Sequence, residues 1–200
     1  MSRYTGPKRR LSRREGVALS TKDLKSIERK GAIPPGMRGT KMRRRSSEYG
    51  VQLREKQKAK RLFGLLEKQF NGIYQRASKA KGSTGQTMLE ILETRLDNVV
   101  YRLGLTSSRA EARQVVSHGH VTVDGKKVTI PSFWVKPEMV IAISAKFVDN
   151  TQVKKNLATH TDLPEWLERK GAVGKVIRIP RRDEMEKIVN EQLIVEYYSR

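Results

Sequence analysis

Residues 94–143 decide how this chain folds, and they read TRLDNVVYRLGLTSSRAEARQVVSHGHVTVDGKKVTIPSFWVKPEMVIAI. Apolar residues recur there, and just before, at the spacing of one helical face: Leu92, Leu96, Val99, Val100 and Leu103. Gly104 ends this first helix. Ser108 followed three residues later by Glu111 is a capping box, which predicts a second helix. His118-Gly119 predicts where that second helix ends.

A β-hairpin is predicted directly after the two helices. Asp124-Gly125 separates two short alternating segments, and both of these residue types accept the positive φ that a two-residue turn requires. The resulting register pairs Val123 with Lys126. It turns four side chains toward the core: Val121, Val123, Val128 and Ile130. A buried strand over residues 139–143 completes a small sheet.

Four arginines lie on the faces of the two predicted helices. Arg109 and Arg113 are four residues apart on the second helix, so they project together. Arg95 and Arg102 are seven apart on the first helix and also share a face. Together with the lysines at the hairpin tip, this arrangement predicts a lobe that binds a phosphate backbone.

The charge of the chain points to a polyanionic partner. There are 42 Lys and Arg residues against 21 Asp and Glu residues, a net charge of +21. Residues 1–61 hold 20 basic and 5 acidic side chains, a net of +15, whereas residues 62–160 carry +6 and residues 161–200 carry zero. Nucleic acid is the default partner for such an excess. The N-terminal third is therefore predicted to make most of the contacts with this partner.

Several classes of protein are excluded or disfavoured. Absence of cysteine excludes disulfides and thiolate metal sites, three histidines are too few for a metal cage, and no cofactor is expected. The chain contains no run of 18 apolar residues, so no segment is predicted to span a membrane. An Arg- and Ser-rich start resembles an organelle transit peptide, but Glu15 and Asp23 argue against one. The glycines of residues 171–174 have the wrong spacing for a nucleotide-binding loop.

The whole pattern predicts an α+β protein in four parts. Residues 1–45 form a basic extended arm, because glycines and prolines interrupt any long helix there; a disordered basic tail is the alternative. Residues 46–90 form a helical lobe, with helices predicted from Glu48 to Phe63 and around Phe70 and Tyr74. Residues 91–155 form the helix-helix-hairpin lobe with its small antiparallel sheet. Residues 156–200 pack back on these lobes.

This central stretch closely resembles the RNA-binding domain of the small-subunit ribosomal protein S-four family. The resemblance is carried by TRLDNVVYRLGL (94–105), SRAEARQ (108–114), HGH (118–120) and VDGK (123–126). It extends over the whole chain, through RYTGP (3–7), LSRREG (11–16), EYGVQLREKQK (48–58) and NEQLIVEYYS (190–199). Some members of that family carry a cysteine-ligated zinc near the N-terminus, which this cysteine-free chain cannot hold.

The resemblance implies a structural protein of the cytoplasmic ribosome, not an enzyme. A primary rRNA-binding protein would bind a multi-helix junction in the 5′ part of the small-subunit rRNA and nucleate assembly. Its other implied partners are ribosomal proteins S-five and S-three and the mRNA at the tunnel where it enters, with an effect on decoding accuracy. Two alternatives remain open: a repressor that binds its own mRNA, and a free-standing RNA-modifying enzyme, for which the chain has little room.

The predicted site residues are basic side chains from three regions of the chain. Those predicted to bind rRNA are Arg3, Lys8, Arg9, Arg10, Arg13, Arg14, Arg54, Lys56, Lys58, Lys60, Arg61, Arg95, Arg102, Arg109, Arg113, His118, His120, Lys126 and Lys127. By resemblance, Arg43, Arg44 and Arg45 are candidates to face the mRNA.

Overall fold

A computed structural model describes residue 4 and residues 6–30, 33–36, 47–159 and 163–200. The helices within these residues are α1 (Lys8–Glu15), α2 (Thr21–Lys30), α3 (Glu48–Leu62), α4 (Glu67–Lys79), α5 (Thr84–Glu93), α6 (Leu96–Arg102), α7 (Arg109–Ser117), α8 (Ala145–Val148), α9 (Thr151–Thr159) and α10 (Glu191–Tyr198). The strands are β1 (Val121–Val123), β2 (Lys126–Lys127), β3 (Val140–Ile143), β4 (Leu167–Lys170) and β5 (Val173–Val176). The chain divides into two compact units. The first unit comprises Met1–Gly85 and Ile188–Arg200, and the second comprises Gln86–Lys187. An α+β fold with a small antiparallel sheet is thereby confirmed.

The first unit is built on α3, α4 and α10. Ser47 caps α3 by accepting a hydrogen bond from the Gly50 N–H, which confirms the predicted helix start. The helix predicted around Phe70 and Tyr74 is α4, which buries Phe70, Ile73 and Ala77, with Phe70 completely covered. Helix α10 packs along α3, and its Tyr198 ring stacks on Tyr74 of α4 with 4.5 Å between ring centroids.

The N-terminal region differs from the predicted extended arm, because α1 and α2 are helical. Gly16 ends α1 with φ of 74°, a conformation that glycine adopts without strain. The buried Ser12 hydroxyl then joins the two helices, since it donates to Asp23 over 2.7 Å and accepts from the Leu19 N–H. Glycine thus separates two short helices here instead of keeping the chain extended.

The second unit contains the five-stranded antiparallel sheet, in the order β2-β1-β3-β5-β4. Val123 pairs with Lys126, and the turn residues Asp124 and Gly125 have φ of 48° and 76°, so the predicted hairpin is confirmed. Val121 and Val123 are buried. Ile130 was predicted to face the core and is 58% exposed, because the chain leaves the sheet and turns there, with the Ile130 carbonyl accepting from the Phe133 N–H.

One continuous helix was predicted through Leu92 and Leu103, and this is wrong. Helix α5 begins at Thr84, and the chain breaks at Thr94 and Arg95 before α6. The break exists because this backbone pairs with a distant segment: Leu96 N–H donates to the Phe133 carbonyl and Val135 N–H to that of Thr94. All five residues of the predicted stripe are still fully buried, so the apolar face continues through the break.

Strands β4 and β5 form a second hairpin around Gly171, whose φ is 59°. Strand β5 follows this turn directly and ends at Val176. Trp166, just before β4, is completely buried in the core of this unit. A Cβ added at Gly174 would collide with the Leu103 side chain, so β5 lies directly against α6. No helix among the described residues is long and apolar enough to cross a bilayer.

Candidate nucleic-acid interface

Glu93, at the end of α5, is the centre of a buried polar network in the second unit. Its side chain is 1% exposed and accepts two hydrogen bonds from Arg102, of 3.0 and 2.7 Å, and one of 2.6 Å from the Asn98 amide. Burial opposes the charge on Arg102, but the Glu93 carboxylate outweighs it and raises the pKa of Arg102 above its ordinary value. Arg102 is therefore held as a cation by the protein itself.

Arg109 closes this network into a ring. Its Nε donates to the Asn98 side-chain oxygen over 2.8 Å, and its Nη2 donates to Glu186 over 2.6 Å. Glu186 also accepts from Arg102, at 3.3 Å. The Arg109 guanidinium lies 4.7 Å from the centroid of the Tyr101 ring. This ring of hydrogen bonds joins α6 and α7 to Glu186, which follows Arg109 by 77 residues.

Arg95 and Arg113 share a different carboxylate. Arg95 is 6% exposed and makes two hydrogen bonds to Asp97, of 3.0 and 2.8 Å. Arg113 lies 3.9 Å from the same carboxylate. All four arginines predicted to bind phosphate from this lobe thus face carboxylates of the protein, and Arg95 has almost no surface to offer an external ligand.

The basic residues of α3 are paired in the same way. Lys56 and Lys60 each lie 2.7 Å from Glu67, and the Tyr198 hydroxyl donates to that carboxylate over 2.9 Å. Lys58 pairs with Glu55 at 2.7 Å and donates to the Ile188 carbonyl. These contacts explain how a helix charged on most faces forms, since its cations stabilise the packing of α3 with α4 and α10.

Glu67 gives this cluster a measurable pH dependence. Burial opposes ionisation, but hydrogen bonds from Lys56, Lys60 and Tyr198 lower the pKa of Glu67 from 4.5 to about 2. The stabilisation is therefore complete above the unfolded-state pKa and is lost as the pH falls from about 4.5 to 2. We expect the melting temperature of the Glu67→Gln variant to fall less over this range than that of the unchanged protein, measured by circular dichroism. The difference should be modest, because the Glu67 side chain is 47% exposed.

A matched control for that measurement is Glu90→Gln, because Glu90 accepts its hydrogen bond from the neutral Gln86 amide. That variant should follow the acid limb of the unchanged protein. Identical acid limbs for the Glu67 variant and the unchanged protein would show that Glu67 does not stabilise the fold through its charge.

Arg54 and Arg61 are turned toward Glu15 at the end of α1. The Glu15 side chain is fully covered and pairs with both guanidinium groups. Burial raises the pKa of the Glu15 carboxyl above its ordinary value, and the charges of Arg61 and Arg54 offset this only in part. These two arginines therefore hold α1 against α3.

The other basic residues of α1 are turned outward. Lys8, Arg10 and Arg14 are exposed and have no ion-pair partner among the described residues. Arg10 and Arg14 are four apart on one face, where like charges destabilise a helix by a few tenths of a kcal/mol unless an anion neutralises them. Arg9 is also exposed and lies 3.8 Å from Asp23, whereas Arg13 donates to the Ile33 and Pro34 carbonyls.

The hairpin and the end of α7 form a second outward-facing basic group. Lys126, Lys127 and His118 are exposed, without an ion pair to any described residue. A Cβ at Gly119 would collide with the Lys127 stem, so the Lys127 side chain lies across this glycine. His120 is partly buried, with its ring stacked on Phe147 at 4.3 Å.

Among the described residues, most of the predicted site residues fall into two sets, one turned outward and one paired with carboxylates of the protein. The outward-facing set comprises Lys8, Arg9, Arg10, Arg14, His118, Lys126 and Lys127. Arg3, Arg43, Arg44 and Arg45 lie outside the residues that the structure describes. Within the described ranges, no three histidine, aspartate or glutamate side chains converge on a point that could hold a metal ion.

The acidic half of these networks is not predicted from the sequence. Glu15, Glu67, Glu93, Asp97 and Glu186 decide which cations remain available to a ligand. One signal was present: Asp97 and Asn98 lie between the apolar positions Leu96 and Val99, beside the apolar helical face, and polar side chains that are buried there need partners. Glu186 carries no comparable signal.

Comparison with known proteins covers the chain from end to end. The model of the ribosomal protein S4/S9 N-terminal domain matches residues 3–93, and that of the S4 domain matches residues 94–141. The "Small ribosomal subunit protein uS4" of Natranaerobius thermophilus is 50% identical over the whole of both chains. Proteins of the same name from Dictyoglomus turgidum and Parabacteroides distasonis are 49% and 47% identical, again over the whole of both chains.

Proposed function

Because this chain belongs to the ribosomal protein S4 (S-four) family, we propose that its outward-facing cations form the grip on the RNA and that its paired arginines hold the scaffold beneath. Members of the family are structural rRNA-binding proteins of the small ribosomal subunit in the cytoplasm, and the chain is not an enzyme. The proposal concerns which side chains meet the phosphates and what the binding achieves.

The observation that carries this proposal is the division of the basic side chains into two sets. Arg95 and Arg102 are engaged by buried carboxylates and Arg109 by the partly buried Glu186, and releasing them to bind RNA would leave those carboxylates without these partners. Lys126 and Lys127 and the outward face of α1 need no such exchange. Phosphate contacts fix the position of a protein on RNA, so cations that each folded unit holds at fixed sites on its own surface can select RNA by shape.

The proposed target is a multi-helix junction in the 5′ part of the small-subunit rRNA. A-form helices hide their base edges in a deep, narrow groove, so a protein distinguishes a junction mainly by the geometry of its phosphates. Two basic groups on two folded units suit such a target better than a single helix. Binding there early would fix the arrangement of the helices and so nucleate assembly of the subunit.

The same proposal includes contacts beyond the rRNA. By family resemblance, ribosomal proteins S-five and S-three are proposed as neighbours, and Arg43, Arg44 and Arg45 as residues that face the entering mRNA. A cluster of three arginines attracts any passing phosphate backbone without selecting its sequence, as a tunnel for many messages requires. A change in decoding accuracy would follow if the boundary with S-five controls movement of the subunit.

The test is a comparison of two RNAs by filter binding with the full-length protein. One is a transcript of the 5′ part of the small-subunit rRNA, and the other is a perfect duplex of the same length. We expect tight binding of the transcript and at least about a thousandfold weaker binding of the duplex, the lower end of the range that separates specific from non-specific nucleic-acid complexes. Affinity for both should fall steeply with salt. Equal affinity for both RNAs would refute selection by shape.

A further inference from the structure

The two tryptophans of the chain have opposite environments. Trp166 is completely buried in the core of the second unit, whereas Trp134 is 56% exposed. A large aromatic side chain on the surface forgoes the stabilisation that burial of its apolar area would give it. The described part of the chain leaves more than half of Trp134 exposed, and this exposed surface is available to a ligand.

The backbone on both sides of Trp134 is fixed. Trp134 forms an isolated antiparallel bridge with Arg95, flanked by hydrogen bonds from Val135 to Thr94 and from Leu96 to Phe133 of 3.0 and 2.9 Å. Arg95 is in turn held by its two bonds to Asp97. An exposed ring on a rigid base loses little conformational entropy when it binds, which favours its use in recognition.

A cation lies beside this ring. The Lys136 Nζ is 5.8 Å from the centroid of the Trp134 ring, close enough for attraction to the π-face, and the Lys136 side chain is exposed. Both residues lie within the segment, residues 94–141, that matches the RNA-binding domain of the family. An aromatic face with an adjacent ammonium group complements one nucleotide, whose base is a π-face and whose phosphate is an anion.

We propose that Trp134 is a stacking platform for an unpaired base of the bound rRNA, with Lys136 contacting the phosphate beside that base. The proposal rests on the rRNA-binding role above and adds one contact to the geometric recognition described there. Junctions contain unpaired nucleotides, and proteins bind these by stacking on aromatic rings. Because every base has a π-face, stacking tolerates variation in sequence and depends on the base being free.

A protein partner is the competing occupant, since exposed tryptophans are common at the centres of protein interfaces. Ile130, at the start of the same turn, is 58% exposed and would also be covered by such a partner. The neighbouring lysine favours the nucleotide, because lysine is depleted at protein–protein interfaces and frequent at phosphates. Ile130→Ala is therefore the variant that separates the two occupants.

The test uses full-length protein and the 5′ rRNA transcript, with filter binding and tryptophan fluorescence measured on the same samples. Trp134→Ala should weaken binding about tenfold or more, the size expected for loss of one base–aromatic stack. Trp134→Phe should restore most of the affinity, and Ile130→Ala should leave it unchanged. Binding should quench the emission of the unchanged protein, and the quenching should be absent from the Trp134→Phe variant. The melting temperature of Trp134→Ala should be unaltered, because the indole is exposed.

The outcomes separate this proposal from the rRNA-binding role on which it rests. Tight binding by filter assay with no quenching, and full affinity of Trp134→Ala, would refute the stacking contact and leave the role intact. Loss of affinity in Ile130→Ala equal to that in Trp134→Ala would refute stacking in favour of an apolar contact. Quenching that occurs only after a second ribosomal protein is added would assign Trp134 to a protein partner. No binding of the transcript by the unchanged protein would overturn the role itself.

Discussion

Replacing Glu93 by alanine is expected to lower the free energy of unfolding by about 3–5 kcal/mol, the cost of removing one partner from a buried ion pair. The variant would leave Arg102 and the 2%-exposed Asn98 without the carboxylate that accepts three of their hydrogen bonds. Arg109 would be affected as well, because Asn98 orients it. Urea denaturation followed by the emission of the buried Trp166 reports on this unit directly.

Two further variants show whether charge or packing is responsible. Glu93→Gln keeps the shape and most of the hydrogen bonds but removes the charge, so its loss should lie between zero and that of the alanine variant. Glu138→Ala removes the partner of Lys175 from an exposed ion pair, with side chains 44% and 70% exposed, and should cost much less than Glu93→Ala because solvent screens the pair. A loss for Glu93→Ala no larger than for Glu138→Ala would show that the buried network does not stabilise the fold.

The elements that could be predicted from sequence are those that neighbouring residues determine. The Ser108 hydroxyl accepts from the Glu111 N–H as the capping box requires, and the turn at Asp124 and Gly125 sets its register through its own φ angles. In both cases, donor and acceptor lie within a few residues of each other, so the spacing alone specifies the contact. The Glu111 carboxylate differs only in detail, as it accepts from Ser107.

The break between α5 and α6 could not be predicted, because its cause lies almost forty residues away. The apolar positions around Leu92 and Leu96 continue at helical spacing across Thr94 and Arg95, and nothing local distinguishes a bent helix from a straight one. Backbone pairing with the segment around Phe133 makes the difference. Tertiary hydrogen bonds here override a regular helical pattern.

The sequence predicts that basic residues form the candidate site, but not which of these basic residues are available to a ligand. Sequence spacing correctly places Arg109 on an accessible helix, yet its partner Glu186 is 77 residues later. The local sequence does not distinguish an arginine that faces a carboxylate from one that faces solvent. Only the fold shows that the outward charges lie on α1 and at the hairpin, and this changes which substitutions should weaken RNA binding.

Replacing Lys8, Arg10 and Arg14 by glutamine is expected to weaken binding of the 5′ rRNA transcript by about a hundredfold or more. A hydrogen bond to a charged group contributes about 1.5–3 kcal/mol, and three lost phosphate contacts exceed a hundredfold even when solvent screens them. The slope of log affinity against log salt should become shallower by about 2–3, because each phosphate contact contributes about 0.7–0.9. Filter binding at several salt concentrations measures both quantities.

The matched control is a triple glutamine variant of Lys154, Lys155 and Lys170, exposed lysines outside the proposed grip. It removes the same charge, so any effect of total charge on long-range attraction is equal in the two variants, and only loss of specific contacts separates them. The α1 variant should keep its fold, because its three side chains have no ion-pair partner among the described residues and the helix loses like-charge repulsion. Equal losses for the two variants would mean that the protein attracts RNA by net charge alone. A smaller loss of RNA affinity for the α1 variant than for Arg109→Ala, with both proteins shown to be folded at the assay temperature, would mean that the paired arginines make the main RNA contacts.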